Sequence, residues 1–255
     1  MLVNADPVRY VEERMGVVPE HWQAPILRDS TRNICITCSR QIGKSFTVSL
    51  KAAHHCATQP GSIALIFSPS EQQSINLMRK AKMHIHKAGI ELKEDLKKEI
   101  EFANGSRLVA LPGSEKTVRS WSDVSMLIVD EAAYAPDELY YAVEPMVIQA
   151  QGQIILLSSA NATLGFFYEI ATGDDEYWSR YRVPVTESER IPDEWVRMKR
   201  ETLPPRVFQR EYMAEFVDPA GSAFPAEMIE SAFSHDIDDP LADLVTTEYA
   251  EELEV

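Results

Sequence analysis

Three short segments carry residue types and spacings that can do chemistry. The first is Cys38-Ser39-Arg40-Gln41-Ile42-Gly43-Lys44-Ser45, set between an apolar β-branched run (Ile34 to Cys38) and a stretch with helical periodicity (Lys44 to Thr58). A strand, a polar loop and a helix start bring backbone N–H groups and the positive end of the helix dipole to one point, where phosphate binds. The phosphate-loop pattern asks for Gly, four residues, then Gly-Lys-Ser/Thr. Cys38 replaces the first glycine and the rest fits. Gly43 permits close approach, Lys44 supplies a point charge to the β- and γ-phosphates, and Ser45 offers a hydroxyl to Mg²⁺. The second segment, Leu127-Ile128-Val129-Asp130-Glu131, is an apolar strand ending in two acids. Downstream of a phosphate loop, the first acid suits the Mg²⁺ shell and the second suits polarising a water. The third, Ser158-Ser159-Ala160-Asn161, leaves the apolar run Gln153 to Leu157. Polar groups at the carboxyl end of a central strand sit where open α/β sheets bind ligands.

The elements that must position these groups follow from hydrophobic patterning. Continuous apolar runs at Ile63–Phe67, Met126–Val129 and Gln153–Leu157 predict buried parallel strands. Glu71 to Ala88 is helical in pattern, and Gln59-Pro60-Gly61 stops the helix before it. Residues 100–102 and 107–111, around Asn104-Gly105, predict a β-hairpin. Tyr181 to Val185 predicts an edge strand, because Pro184 cannot donate to a ladder, and 192–217 is mainly helical. The first thirty residues carry helical pieces punctuated by Pro19 and Pro25. Alternating strands and helices predict an α/β fold with a mainly parallel sheet covered on both faces.

Composition narrows the class. The chain has 255 residues, 45% hydrophobic and 25% charged, which suits a globular protein with a sizeable core. No apolar run approaches the roughly 20 residues of a membrane span, and no secretory leader pattern opens the chain. Three cysteines, an odd number, fit a reducing compartment. The net charge of −15 is uneven: residues 226–255 hold ten of the 40 acids and no Lys or Arg, predicting an acidic tail. The low charge gives no global argument for binding nucleic acid, though a local basic surface can still do so.

The three motifs together resemble the ATPase region of the large terminase subunit of tailed bacteriophages and herpesviruses. The resemblance rests on Arg40-Gln41 within the loop, on Asp130-Glu131-Ala132-Ala133, and on Ser158-Ser159-Ala160-Asn161 followed by Gly165-Phe166-Phe167-Tyr168. It extends to His21-Trp22-Gln23 with Pro25, to Arg210–Phe216, and to Gly221–Phe224, in order over about residues 20–224. It implies a P-loop NTPase of the RecA/ASCE-like type, with added antiparallel strands and a small helical lid region over about 186–224. It implies ATP hydrolysis with Mg²⁺, driving double-stranded DNA into a prohead. The partners it implies are the portal protein, the small terminase subunit and further copies of the chain, as a homo-oligomeric ring on the portal or a monomer in isolation. The setting it implies is the host cell cytoplasm, with no membrane.

By position, the resemblance makes Gln23 the adenine reader and places Ser39, Arg40, Gln41, Ile42, Gly43, Lys44 and Ser45 on the nucleotide. Arg40 would touch the γ-phosphate, Ser45 and Asp130 would hold the metal, and Glu131 would be the catalytic base. Ser158, Ser159 and Asn161 would couple hydrolysis to movement. Arg119 is a candidate for an arginine acting on a neighbouring subunit, with Arg180 and Arg182 as others. Family members carry a second, nuclease domain. Only about 30 residues follow Phe224, so cleavage is not expected of this chain. The alternatives are a non-catalytic nucleotide-binding docking factor and a helicase-like translocase.

Weaker constellations read more plainly. Cys35 and Cys38 suit strand packing, since no second pair completes a zinc set. His84 and His86 are expected at the surface. Arg79, Lys80, Lys82, Lys87, Lys93, Lys97, Lys98 and Arg107 can track DNA phosphates. Interleaved Glu91, Glu94, Asp95, Glu99 and Glu101 suit a solvated face of helical ion pairs equally well. Trp121, Trp178 and Trp195 are expected to pack.

Overall fold

The computed structural model describes residues 6–111 and 121–218. All but Asp218 fall in a compact unit running through Val217. Eight strands form one sheet in the order β3-β4-β5-β2-β6-β7-β1-β8. They are β1 (Asn33–Cys38), β2 (Ile63–Phe67), β3 (Leu92–Asp95), β4 (Glu99–Phe102), β5 (Arg107–Ala110), β6 (Met126–Asp130), β7 (Gln153–Ser158) and β8 (Ser179–Val183). The β5-β2-β6-β7-β1-β8 block is parallel throughout, and β3 and β4 add to it antiparallel.

The parallel strands are apolar on both sides because both sides are covered. Successive residues alternate between two cores: Ile34, Ile36, Ala64, Ile66, Met126, Ile128, Ile155 and Leu157 belong to one. Cys35, Leu65, Phe67, Leu127, Val129, Ile154 and Leu156 belong to the other. The first core is closed by helices α1 (Pro7–Met15), α2 (Gln23–Arg28), α3 (Lys44–Thr58) and α4 (Glu71–Lys87). The second is closed by α5 (Asp137–Val143) and α6 (Phe166–Thr172), where Tyr140 stacks on Phe166 with ring centres 4.3 Å apart. Two further helices, α7 (Asp193–Thr202) and α8 (Pro205–Tyr212), add Val196 and Phe208 to the first core.

Local chemistry sets the element ends. Ser70 caps α4 with a reciprocal bond to Gln73, a capping box placed directly after β2. Asn104 Nδ2 donates to the carbonyls of Cys56 and Ala57 at the last turn of α3, tying the β4–β5 turn to that helix. Lys51, buried, donates from Nζ to the carbonyls of Ile26, Leu27 and Asp29 and so closes the end of α2. Cys35 and Cys38 face opposite cores, and burial pushes both thiols up to about 12, so they pack rather than react.

Two sequence expectations are corrected. Residues 92–95 form strand β3, not a helical face, and the ion pairs there cross between elements. Lys93 meets Glu101 at 2.6 Å, Arg107 meets Glu99 at 2.5 Å, and Lys82 on α4 binds Asp95. Alternating charges on a two-residue period mimic helical i,i+4 pairing when no apolar residue fixes the phase. His84 is buried, not at the surface, and meets Phe46 edge-on with ring centres 4.7 Å apart, while His86 is exposed and pairs with Asp95. His84 lies three residues from Ala81 on the inward face of α4, which outweighs its polarity.

Burial lowers the pKa of His84 to about 4, and that of His55, bonded to Ser125 Oγ at 2.8 Å, to about 4 as well. Both folded values lie below the unfolded value of 6.5, so the unfolded chain binds protons that the folded chain refuses. Stability contributed by the neutral rings is present above pH 6.5 and is lost as pH falls toward 4, by at most about 1.4 kcal/mol per pH unit for each ring. Urea unfolding at stepped pH is expected to show this slope, and His84→Phe, which keeps the ring packing, to flatten it. An unchanged slope in the variant would remove His84 from the account.

Candidate active site

The carboxyl ends of β1, β7 and β6 lie side by side, with Thr37 opposite Ser158 and Leu157 opposite Asp130. All three chemistry-bearing segments therefore leave the sheet on one edge. After β1 the chain turns sharply: Gln41 has φ 63° and Gly43 φ 107°, and α3 begins at Lys44. After β6, Glu131 sits at φ 57° and opens a 3₁₀ turn over Ala132–Tyr134. A non-glycine residue held there costs about 1 kcal/mol or more, which the surrounding structure must offset.

A cavity of about 510 Å³ opens at this edge, lined by Arg40, Gln41, Gly43, Lys44, Ser45, Lys80 and Glu131. Lys44 Nζ meets Glu131 Oε1 at 2.9 Å, with both side chains largely buried. Ser158 Oγ lies 3.4 Å from Glu131 Oε2, so the end of β7 touches the same carboxylate. Asp130 is buried beneath, and its pKa is raised to about 6 by burial first and by Glu131 second, against the pull of Lys44 and Lys80. A buried carboxylate so short of positive charge is a fitting partner for a cation. No group of three or more His, Cys, Asp or Glu close enough to hold a metal ion occurs among the described residues. A single carboxylate and a hydroxyl beside a phosphate cradle suit Mg²⁺, which keeps several waters and shares its shell with phosphate oxygens.

The backbone N–H groups of Gln41, Ile42, Gly43, Lys44 and Ser45 donate to no backbone carbonyl among the described residues. Those of Ser39 and Arg40 are spent, on the carbonyls of Val183 (2.8 Å) and Glu211 (2.9 Å). The open donors of the loop therefore begin at Gln41, which is where an anion would bind.

Ser39 is fully buried and donates from Oγ to the Glu211 carbonyl at 3.1 Å, away from the cavity. Ile42 is core. Arg40 lines the cavity, yet its Nε is paired with Glu211 Oε2 at 2.7 Å. Gln23 is buried, donating from Nε2 to Thr47 Oγ1 and accepting at Oε1 from Glu20 N, both at 2.9 Å. Ser159 is buried with its hydroxyl unpartnered among the described residues. Asn161 donates from Nδ2 to the Ala133 carbonyl at 3.4 Å, directly after Glu131-Ala132. Arg119 lies outside the described residues. Arg180 is bonded to Asp175 and to the carbonyls of Ile170 and Trp178, and Arg182 to Glu215 and the carbonyls of Met213 and Ala214. Both are thus engaged within the chain. They line a separate cavity of about 520 Å³ beside β8, which contains no residue of the phosphate loop.

Glu20 and Arg190 escape sequence reasoning, and Lys80 and Glu211 figure in it only within a basic run and a motif, not at the site. Arg190 donates from Nη2 to the Ile42 carbonyl and from Nε to Glu20, so residues 148 or more apart in sequence meet over the loop. With Gln41, Ile191, Pro192 and Trp195, Arg190 lines a smaller cavity of about 230 Å³ that shares Gln41 with the first. The one available signal was the clustering of charged residues after Pro184.

The family model for the N-terminal part of the large terminase subunit of T4-like-virus type matches residues 35–231. The large terminase subunit of Thermus phage G20c is 23% identical over 251 residues, an alignment covering 83% of this chain and 51% of that protein, so the chain spans about half its length. The ATPase domain of the large terminase of Thermus phage P74-26 is 21% identical with a TM-score of 0.72, covering 83% of this chain and 99% of that one. The large terminase of the thermophilic bacteriophage D6E, solved in complex with ADP, is 11% identical with a TM-score of 0.68, covering 78% of this chain and 53% of that one. These structures share the α/β fold with its mainly parallel sheet and added antiparallel strands.

A Cβ at Gly43 would stand 2.8 Å from Arg190 Nη2 and 3.4 Å from Gln23 Nε2, at a φ of 107° that side chains avoid. Gly43→Ala is therefore expected to destabilise the fold by about 1–3 kcal/mol. Urea unfolding checks this, and a wild-type midpoint would show that the loop adapts freely.

Proposed function

This chain belongs to the large terminase subunit family, and from that premise we propose that it is the ATP-hydrolysing part of a motor that drives double-stranded DNA into a viral prohead. The observation that carries the reading is the Lys44–Glu131 contact at the mouth of an open backbone cradle. The cation that a phosphate-binding loop needs and the carboxylate that a water needs are held as each other's partner.

With ATP in the cavity, Lys44 has stronger acceptors in the phosphate oxygens, because a charged donor on a polyanion outweighs its bond to one carboxylate. Its departure leaves Glu131 free to accept a proton. A water oxygen then bonds to the γ-phosphorus while the bond to the bridging oxygen breaks, the electron pair leaving on ADP and the water proton passing to Glu131. The N–H groups of Gln41 to Ser45 stabilise charge on the phosphates without rearranging. Mg²⁺, held by Asp130 and Ser45, would neutralise charge on the phosphate oxygens. Arg40 exchanges Glu211 for the γ-phosphate in this scheme. Ser158, within 3.4 Å of Glu131, and Asn161, bonded to the Ala133 carbonyl, carry the change at the carboxylate into the segment after β7.

Gln23 supports the fold of the adenine side by holding Thr47 on α3, and the cavity at Gln41, Arg190 and Trp195 adjoins the phosphate cradle where a base would extend. The lid of this reading, about residues 186–224, carries Arg190 and Glu211, which both bear on the loop. The partners are double-stranded DNA, the portal protein, the small terminase subunit and further copies of this chain in a ring, with Arg119 offered to a neighbour. The host cytoplasm is the setting; no helix among the described residues is long and apolar enough to cross a membrane.

Steady-state turnover of the chain beside Glu131→Ala and Lys44→Ala, with and without double-stranded DNA at low salt, tests this. Glu131→Ala is expected to bind ATP and to lose turnover by about a hundredfold or more; Lys44→Ala is expected to lose both. Wild-type turnover in Glu131→Ala would overturn the base assignment. Absence of turnover in the wild-type chain despite tight ATP binding would favour a docking factor.

A further inference from the structure

We infer that Lys80 is a second cation of the phosphate site, supplied by α4 rather than by the loop, and that it engages the γ-phosphate of the nucleotide. The inference rests on the phosphate-site reading above. In sequence, Lys80 belongs to a basic run that could as well track DNA. The structure separates it from that run, of which Lys97 is exposed and lines no cavity with Lys44, and the others are engaged. Arg79 reaches Asn76, Lys82 is taken by Asp95 and the Leu96 carbonyl, and Lys87 donates to the Gly16 carbonyl. Lys93, Lys98 and Arg107 are taken by Glu101, Glu71 and Glu99. Lys80 has no hydrogen-bond or ion-pair partner among the described residues, is half-buried, and lines the same cavity as Lys44, Ser45 and Glu131.

An ammonium group at a cavity wall with no partner of its own keeps its donors for an incoming anion. Every other cation at the cavity already has one: Lys44 holds Glu131 and Arg40 holds Glu211. Lys80 is therefore the cation that can meet an incoming anion without first giving up a bond. It shares its cavity with Lys44, Ser45 and Glu131 and is absent from the smaller cavity lined by Arg190 and Trp195, which puts it on the phosphate side of the site. The loop N–H groups and Lys44 are common to any nucleotide with a β-phosphate. In this assignment a lysine supplied by α4 and not by the loop adds a contact that only the triphosphate completes. Phosphoryl transfer spreads charge over the γ-oxygens, where a positioned cation acts most strongly.

The test uses the whole chain as wild type, Lys80→Ala and Lys80→Arg. Affinity for ADP and for ATPγS, each with Mg²⁺, is read by calorimetry, turnover by steady-state ATPase assay, and stability by urea unfolding without nucleotide. Lys80→Ala is expected to weaken ATPγS about tenfold or more and ADP by less than about twofold, to lower kcat about tenfold, and to leave the unfolding midpoint unchanged. Lys80→Arg is expected to restore most of the ATPγS affinity. Equal losses for both nucleotides, or unchanged affinities with loss confined to stimulation by double-stranded DNA, would overturn the assignment. A wild-type chain that binds neither nucleotide would overturn the phosphate-site reading itself, and Lys80 with it.

Discussion

Glu131 and Lys44 meet at 2.9 Å although they follow strands that are not neighbours, since β7 lies between β6 and β1. That contact sets a demanding condition on the rest of the molecule. The ends of β1 and β6 must lie at similar height, and the parallel registers through β7 set Asp130 level with Ile36, two residues before the end of β1. The chain must turn sharply after each end, which uses Gly43 at φ 107° on one side and a strained Glu131 on the other. Side chains of two strands separated by a third converge only if the middle strand ends in something small. Ser158 and Ser159, both buried, occupy that place. The serine pair is thus explained by space before any coupling role is considered, and its hydroxyl then falls within reach of the carboxylate.

The strands and the longer helices were legible because burial on both faces of a parallel sheet leaves continuous apolar runs between turn residues. Lys44–Thr58, Ile63–Phe67 and the end of β6 at Asp130 follow from this patterning and from the residues that stop it. The loop motif was legible because phosphate chemistry limits the residue types that serve. What could not be read were groups brought in by tertiary closure. Arg190 and Glu211 lie some 150 residues or more beyond the loop they contact, and one arginine on a polar stretch looks like any other. Lys80 was hidden differently, inside a run of bases whose partners only tertiary contacts decide. His84 was misjudged because one polar residue on an inward helix face leaves no mark on the periodicity.

The acids and bases of the β3–β4 region show why counting charge is a weak guide to function. Lys93 with Glu101, Lys98 with Glu71 and Arg107 with Glu99 neutralise one another across elements. Exposed pairs of this kind contribute at most about 1 kcal/mol each, so they set register and solubility more than stability. They leave few bases of that region unpaired to attract phosphate from solution.

Cys38 in place of the loop's first glycine asks how the loop is shaped without it. A glycine there normally lets the chain leave its strand steeply. Here Cys38 is the last residue of β1, fully buried in the first core, and the strand simply runs to its end. The next two N–H groups, of Ser39 and Arg40, are fixed by the carbonyls of Val183 and Glu211. The first half of the loop is therefore held from outside, by the end of β8 and the end of α8, and becomes an open cradle only from Gln41 onward. Val183 precedes Pro184, whose missing N–H ends the ladder and turns the chain toward Arg190. The helical segment that follows β8 is on this account not an appendage to the site. It carries Glu211, which fixes Arg40 by both backbone and side chain, and Arg190, which closes on the Ile42 carbonyl. Any movement of that segment must change the shape of the loop, because no glycine at position 38 is there to absorb it.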